Sequence, residues 1–134
     1  MVRFDKLWKS LGGAATPPPP PPPKSRGTIW MASNAALGID NDNSTRHPAL
    51  VLSAKPLVVV SGSDSHRYDL DAVVVTITNE DLLPTPKGSG LDGATQFDVC
   101  GALPLSSPDE LVRFIGKVTD EVWAGILEAR KSCY

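Results

Sequence analysis

Three side chains beside apolar runs have the residue types that acid–base chemistry needs: Arg46, His47 and Thr78. The first two precede the apolar run 49–53, and Thr78 ends the run 72–78. If these runs form neighbouring strands, the three side chains meet at one mouth of the sheet. One group could then take the proton of a ribose 2′-hydroxyl while the others stabilise the pentacoordinate phosphate, which is metal-free phosphodiester transesterification. Polar residues at strand ends also serve as caps and loop contacts, so spacing alone leaves both interpretations open.

Metal-dependent and cofactor-dependent chemistry has little support in the sequence. The two histidines, His47 and His66, do not form a ligand motif, and residues 40–43 lack the glycine and bidentate glutamate of a calcium loop. The Gly-x-x-x-x-Gly-Lys-[Ser/Thr] phosphate loop and the Gly-x-Ser-x-Gly nucleophile motif are absent from the sequence. We therefore expect no metal and no cofactor.

Charge is divided unevenly along the chain. Residues 1–26 hold five basic groups and one acid, a net +4, and residues 27–134 hold eight basic groups and fourteen acids, a net −6. An acidic domain is a poor non-specific binder of nucleic acid, because polyanion affinity comes mainly from phosphate neutralisation. Any hypothesis of RNA or DNA binding must account for this charge.

The cysteine content and the lack of long apolar runs indicate a cytoplasmic protein. Cys100 and Cys133 are too few for a disulfide framework, so we expect both thiols to be reduced and Cys100 to be structural rather than a nucleophile. No apolar run approaches the roughly 20 residues that span a bilayer. The first residues lack the apolar stretch of a secretory signal.

The 134 residues are too few for a (β/α)₈ barrel or a two-half dinucleotide fold. We divide them into a short basic amphipathic helix (1–13), a poly-Pro spacer (14–25) and one compact domain (26–134). Either the helix docks weakly on its own domain, or it binds a partner protein or an anionic surface. The proline run favours a semi-rigid spacer over an SH3 or WW ligand.

Strand signals dominate the compact domain, and helix signals come last. We expect loops at 34–45 and 84–95, and strands at 28–32, 49–53, 56–61, 72–78 and 96–100, with apolar alternation continuing at Leu103 and Leu105. This pattern predicts a mainly β fold, a small SH3-like barrel closed by a C-terminal α-helix.

Two helices are predicted near the end of the chain. Ser107, Pro108 and Glu110 have the spacing of a capping box, which predicts a helix that continues through Ile115 and stops at Gly116. Thr119 is the predicted N-cap of the second helix. Its apolar face would consist of Val122, Trp123, Ile126 and Leu127.

Four segments in order resemble the PemK/MazF-like toxin family. They are Arg-Gly-Thr-Ile-Trp at 26–30, Arg-His-Pro-Ala-Leu-Val-Leu-Ser at 46–53, Val-Val-Val-Thr-Ile-Thr-Asn at 73–79, and the stretch from Val99-Cys100 to Phe-Ile-Gly-Lys-Val at 114–118. The resemblance implies a CcdB/MazF-type barrel and a homodimer. It also implies a type II toxin that cuts single-stranded RNA to a 2′,3′-cyclic phosphate and a 5′-hydroxyl, and that is bound by a cognate antitoxin.

Carried over residue by residue, the family's catalytic Arg falls on His47, with Arg46 one place earlier, and its catalytic Thr falls on Thr78. The expected substrate-binding residues are Arg26, Trp30, Ser53, His66, Arg67 and Asn79. Residues 103–107 lack the basic side chains that the family carries there. Two alternatives therefore stay open: a non-catalytic binding module of the same fold, or a toxin that targets gyrase as the CcdB group does.

Overall fold

The computed structural model describes residues 23–33, 35–37, 46–63, 73–84 and 89–133. The predicted N-terminal helix, the proline run up to residue 22 and most of the predicted loop 34–45 lie outside the described residues. His66 and Arg67 also lie outside them.

The described chain is mainly antiparallel sheet with one helix at its C-terminal end. The strands are β1 (Thr28–Ser33), β2 (Arg46–Ala54), β3 (Leu57–Ser63), β4 (Val74–Ile77), β5 (Thr95–Asp98), β6 (Leu103–Pro104) and β7 (Leu111–Lys117), and the helix is α1 (Asp120–Arg130). Single 3₁₀ turns lie at Asn79–Asp81 and Pro108–Glu110. The strand order is β4-β5-β3-β2-β1-β7, and β6 pairs with β3.

The two ends of this sheet meet, which bends it into a small barrel. Leu82, just after β4, bridges to Val118, just after β7. The Leu83 N–H donates to the Lys117 carbonyl at 2.8 Å, and the Thr119 N–H donates to the Asp81 carbonyl at 3.1 Å. The expectation of a mainly β fold, a small barrel with a C-terminal helix, is confirmed.

Side-chain alternation along the strands gives the sheet two apolar faces. In β1, Ile29 belongs to one buried cluster and Trp30 to the other. The first cluster fills the barrel and includes Phe97 of β5, Ile115 of β7 and Ile126 of α1. The second cluster covers the opposite face of the same strands. Burying both faces explains why β2 and β3 are nearly continuous apolar runs rather than strictly alternating ones.

Most strand predictions are confirmed, with shifted ends. The run 49–53 lies inside β2, which begins three residues earlier at Arg46. The run 72–78 yields the shorter strand β4, and Thr78 lies outside it at the start of the first 3₁₀ turn. Cys100 was expected at a strand end, whereas β5 stops at Asp98 and Cys100 lies in the following turn.

The predicted helix from Ser107 to Gly116 is wrong, because the chain there forms one 3₁₀ turn and then β7. The capping box itself is present: the Ser107 hydroxyl accepts from the Asp109 N–H at 3.1 Å, and the Ser107 N–H donates to Glu110 Oε1 at 3.2 Å. The residues after it are rich in Val, Phe and Ile, which favour strands. Pairing with β1 also satisfies backbone groups that would otherwise form an open sheet edge.

The predicted C-terminal helix is confirmed. The Thr119 hydroxyl accepts from the Val122 N–H at 3.2 Å, as an N-cap should, and Ile126 is fully buried. Leu127 is an exception, because it is 46% exposed rather than part of the buried face. Within the described residues, no helix has the length and apolar character needed to cross a membrane.

The expectation that both cysteines are reduced is wrong, because Cys100 and Cys133 form a disulfide. Their Cα atoms lie 5.3 Å apart although they are 33 residues apart in sequence. Arg130 brings the two segments together, since its guanidinium donates to the Val99 carbonyl at 2.6 Å. The C-terminal end of α1 is therefore tied to the turn after β5. The prediction of an intracellular location was based partly on reduced cysteines, and this disulfide removes that support.

Candidate functional site

A cavity of about 170 Å³ opens at one end of the barrel, where β1, β2 and β7 lie side by side. The polar side chains in its lining are Arg46, His47, Asp92, Thr95 and Arg113. Met31 and Ile115 provide apolar surface between them. The cavity therefore combines one imidazole, two guanidinium groups, one carboxylate and one hydroxyl.

The first residues of β2 reach this cavity because the strand extends beyond its partner β3. Pairing of β2 with β3 begins at Ala49, opposite Ser61, whereas pairing with β1 continues to Arg46, opposite Ser33. Pro48 lies in this extension, where one edge of β2 has no pairing with β3. A residue without an N–H is tolerated at such a position. Arg46 is exposed and His47 is 6% exposed.

Arg113 of β7 is a cavity residue that the sequence analysis missed. Met31 of β1 lies opposite Arg113 on one side and opposite Pro48 on the other. The Arg113 backbone is therefore two strands away from that of Pro48, and its side chain lines the same cavity. The incorrect helix prediction concealed this position, because strand pairing rather than helical spacing sets it. Interpreting Val112–Ile115 as a strand would have placed Arg113 on the face of Ile115.

A single side chain holds the opposite wall of the cavity, which includes Gly90, Leu91 and Asp92. Asn79 Nδ2 donates to the Leu91 carbonyl at 2.9 Å, and the Leu91 N–H donates to Asn79 Oδ1 at 2.7 Å. Gly90 has a φ of 112°, which a side chain would strain, and a Cβ there would lie 3.0 Å from Asn79 Oδ1. The Asn79 amide was expected to contact substrate, but both of its polar atoms are hydrogen-bonded to the Leu91 backbone.

Thr78 lies at the same end of the barrel but does not line the cavity. Its neighbour Ile77 pairs with Thr95, a lining residue. The Thr78 hydroxyl donates to Asp81 Oδ2 at 3.3 Å, and the Thr78 N–H donates to the same oxygen at 2.8 Å. The structure therefore brings Arg46 and His47 together and leaves the Thr78 hydroxyl on the 3₁₀ turn beside them.

Three other predicted substrate-binding residues lie elsewhere. Trp30 is 4% exposed, donates its indole N–H to the Thr28 hydroxyl at 3.0 Å, and packs edge-to-face on Phe114 with ring centres 5.3 Å apart. Ser53 lies near the far end of β2, opposite Val58. Arg26 lines a second cavity at the start of β1.

The arrangement in the first cavity suits chemistry on a phosphodiester. An imidazole can accept or return a proton, and two guanidinium groups can stabilise negative charge on phosphate oxygens. Asp92 keeps the local charge from being uniformly positive. In the described part of the chain, no cluster of three His, Cys, Asp or Glu side chains could hold a metal ion.

No protein-family model and no curated protein matches the chain. Among solved structures, a chain in the crystal structure of MazE–MazF (form II) from Deinococcus radiodurans matches with a TM-score of 0.47 and 16% sequence identity. The match covers 82% of this chain and 92% of that chain. A similarity at this TM-score carries no argument about function.

Proposed function

We propose that this protein is the toxin of a type II toxin–antitoxin system and cleaves single-stranded RNA by metal-independent transesterification. The observation that carries the proposal is the cavity that gathers Arg46, His47 and Arg113 at the start of β2. Arg46 and His47 also begin one of the four segments that resemble the PemK/MazF-like family. The cavity adds Arg113 of β7 to these two residues, which are neighbours in the sequence.

In the proposed reaction, His47 removes the proton from a ribose 2′-hydroxyl, and the 2′-oxygen attacks the adjacent phosphorus. The bond from phosphorus to the 5′-oxygen breaks, which leaves a 2′,3′-cyclic phosphate and a 5′-hydroxyl. Arg46 and Arg113 bind the non-bridging oxygens, where negative charge grows in the pentacoordinate state. A second proton transfer, from a protonated side chain or from water, neutralises the leaving oxygen.

The position of Arg113 explains how an acidic domain can bind the phosphates of RNA. Residues 27–134 carry a net charge of −6, yet two guanidinium groups line one small cavity. Affinity for one or two phosphates needs cations at those phosphates rather than a basic surface overall. The cations at 103–107 that the family carries are missing, and Arg113 supplies a replacement from a different strand.

A second candidate function, a non-catalytic binding module, is favoured by Thr78. Its hydroxyl is bonded to Asp81 and lies outside the cavity lining. If a threonine in the cavity is required for chemistry, this chain would bind RNA or protein without cutting. The ribonuclease proposal instead treats Thr78 as a residue that sets the 3₁₀ turn, with His47 and the two arginines performing the reaction.

The proposed function also predicts the partners and the location of the protein. A cognate antitoxin would bind the toxin, and two copies of the chain would form a homodimer. Single-stranded RNA as the substrate favours the cytoplasm. Disulfides there are usually transient or redox-responsive, so we expect Cys100–Cys133 to be in exchange with the thiol pool rather than permanently closed.

The decisive experiment is incubation of the purified full-length protein with mixed-sequence single-stranded RNA in EDTA, followed by mapping of the cut ends. Discrete cuts with 5′-hydroxyl ends support the proposal. An Arg46→Ala/His47→Ala double variant should abolish the cuts, and Lys55→Gln, an exposed change outside the cavity lining, should not.

Thr78→Ala separates the two accounts of that residue, because a structural role predicts residual activity. Intact RNA from a folded protein would favour the binding module.

A further inference from the structure

We propose a second nucleotide-binding site at the opposite end of the barrel, formed by Arg26, Lys117 and Trp123. These residues line a cavity of about 260 Å³ together with Ser25, Gly27 and Asp120. The occupant we assign is one nucleotide of a single-stranded RNA, its base on the Trp123 ring and its phosphate between the two cations. The choice of RNA as the ligand rests on the proposed function, whereas the site rests on its own geometry.

Two cationic side chains line this second cavity. Arg26 and Lys117 are both exposed, and the described residues provide neither with a salt-bridge partner. The ion pair between Lys131 and Glu128 lies at the other end of α1. Residues 27–134 carry a net charge of −6, so two neighbouring cations without a salt-bridge partner among the described residues form a local site for a phosphate.

Trp123 supplies the flat surface that a base needs. Its side chain is half-buried and packs against the barrel core, so the ring is held in place while part of it stays accessible. Gly27 lies beside the ring, with a φ of 85°, and a Cβ there would be 3.8 Å from Trp123 Cε3. The lack of a side chain at Gly27 keeps this edge of the ring uncovered. Stacking on a fixed aromatic ring accepts any base, because every base has a π face.

Asp120 limits what can bind. Its exposed carboxylate lines the cavity and repels a phosphate, yet it can accept hydrogen bonds from base or ribose donors. The net charge of the lining is +1, from Arg26, Lys117 and Asp120. We therefore expect modest affinity at this site alone, with its main contribution made to RNA that also occupies the first cavity.

The two cavities can be occupied by one strand of RNA. β7 contributes Arg113 to the first cavity and Lys117 to the second. Four residues along a strand span roughly 13 Å at about 3.3 Å per residue. A short stretch of extended RNA can cover that distance. Longer substrates should therefore bind more tightly than those that fill only the first cavity.

The test measures binding rather than cleavage, using the full-length protein and a 2′-O-methyl oligoribonucleotide that cannot undergo transesterification. Fluorescence anisotropy at low salt gives the dissociation constant. We expect Trp123→Leu to weaken binding about tenfold. Lys117→Gln should weaken it several-fold and lower the salt dependence by about one charge. Trp123→Phe should retain most of the affinity, Asp120→Asn should increase it, and Lys55→Gln should leave it unchanged.

The outcomes separate this inference from the proposed function. Unchanged binding in both Lys117→Gln and Trp123→Leu, with RNA still cleaved, would overturn the second site and leave the ribonuclease intact. Weakened binding in both variants of a protein that does not cleave RNA would support the second site without the ribonuclease. Lys117→Gln guards against misfolding, since an exposed lysine can be replaced without disturbing the core. A protein that neither binds nor cleaves contradicts both proposals.

Discussion

The cavity wall around Leu91 and the attachment of α1 to the barrel depend on different kinds of interaction. At the cavity, the wall around Leu91 is fixed by two hydrogen bonds to Asn79. At α1, the buried side chain of Ile126, the Arg130 bond to Val99 and the disulfide act together. The first arrangement positions polar groups and the second stabilises the fold. Changes at the cavity should therefore alter activity with little effect on stability, and changes at α1 should do the reverse.

The largest effect should come from His47→Gln. Loss of the proton acceptor is expected to lower the rate of RNA cleavage by about 10²–10⁴-fold. The free energy of unfolding should change by only about 1 kcal/mol, because a polar side chain of similar size replaces the imidazole. Initial cleavage rates in EDTA and urea unfolding curves measure the two quantities. A large loss of stability that accounts for the loss of rate would remove the contrast between the two regions.

The next largest effect should come from opening the disulfide. The double variant Cys100→Ser/Cys133→Ser should lose about 4 kcal/mol of unfolding free energy, because a cross-link across 33 residues restricts the unfolded chain. The cleavage rate per folded molecule should stay the same, since neither residue lines the first cavity. Chemical unfolding with and without a dithiol reductant provides the measurement on wild-type protein. Equal stability under both conditions would show that the cross-link contributes nothing.

Ile126→Ala should cost about 3 kcal/mol, because it leaves a cavity in the barrel core. Leu127→Ala is the matched control one position along α1. That side chain is 46% exposed, so its loss should cost at most about 0.5 kcal/mol. Thermal unfolding of the pair checks which face of α1 is buried. Similar losses in both variants would contradict the helix orientation described above.

Asn79→Ala should combine a modest loss of stability with a clear effect on activity. Removing both bonds to Leu91 should cost about 1–2 kcal/mol of stability. It should also raise KM about tenfold as the wall beside Asp92 moves. Gly90→Ala should have the same kinetic effect through backbone strain and crowding of Asn79 Oδ1. Normal kinetics in both variants would show that this wall does not shape the site.

Local signals in the sequence were sufficient where the structure depends on neighbouring residues. The Thr119 N-cap and the run 49–53 specify α1 and most of β2 through capping and β-propensity. The same logic brought Arg46 and His47 to one strand end, because they are adjacent in the chain. Those predictions needed no knowledge of the rest of the fold.

Contacts between residues distant in the sequence determined the features that the sequence analysis missed. After Glu110 a helix and a strand were both compatible with the sequence, and pairing with β1 determined the outcome. Arg113 consequently could not be assigned to the cavity from spacing. The disulfide between Cys100 and Cys133 depends on how α1 docks on the barrel, which no local pattern encodes. The role of Asn79 depends in the same way on a partner twelve residues along the chain.

The central claim is that the cavity containing His47, Arg46 and Arg113 uses a ribose 2′-hydroxyl as its nucleophile. The most direct measurement compares two oligoribonucleotides in EDTA that are identical except for a single 2′-deoxy position at a mapped cut site. We expect the deoxy substitution to abolish cleavage at that bond only, while other sites are cut at their usual rate. Unchanged cleavage at the deoxy position would show that water or another group attacks the phosphorus, and would contradict the account.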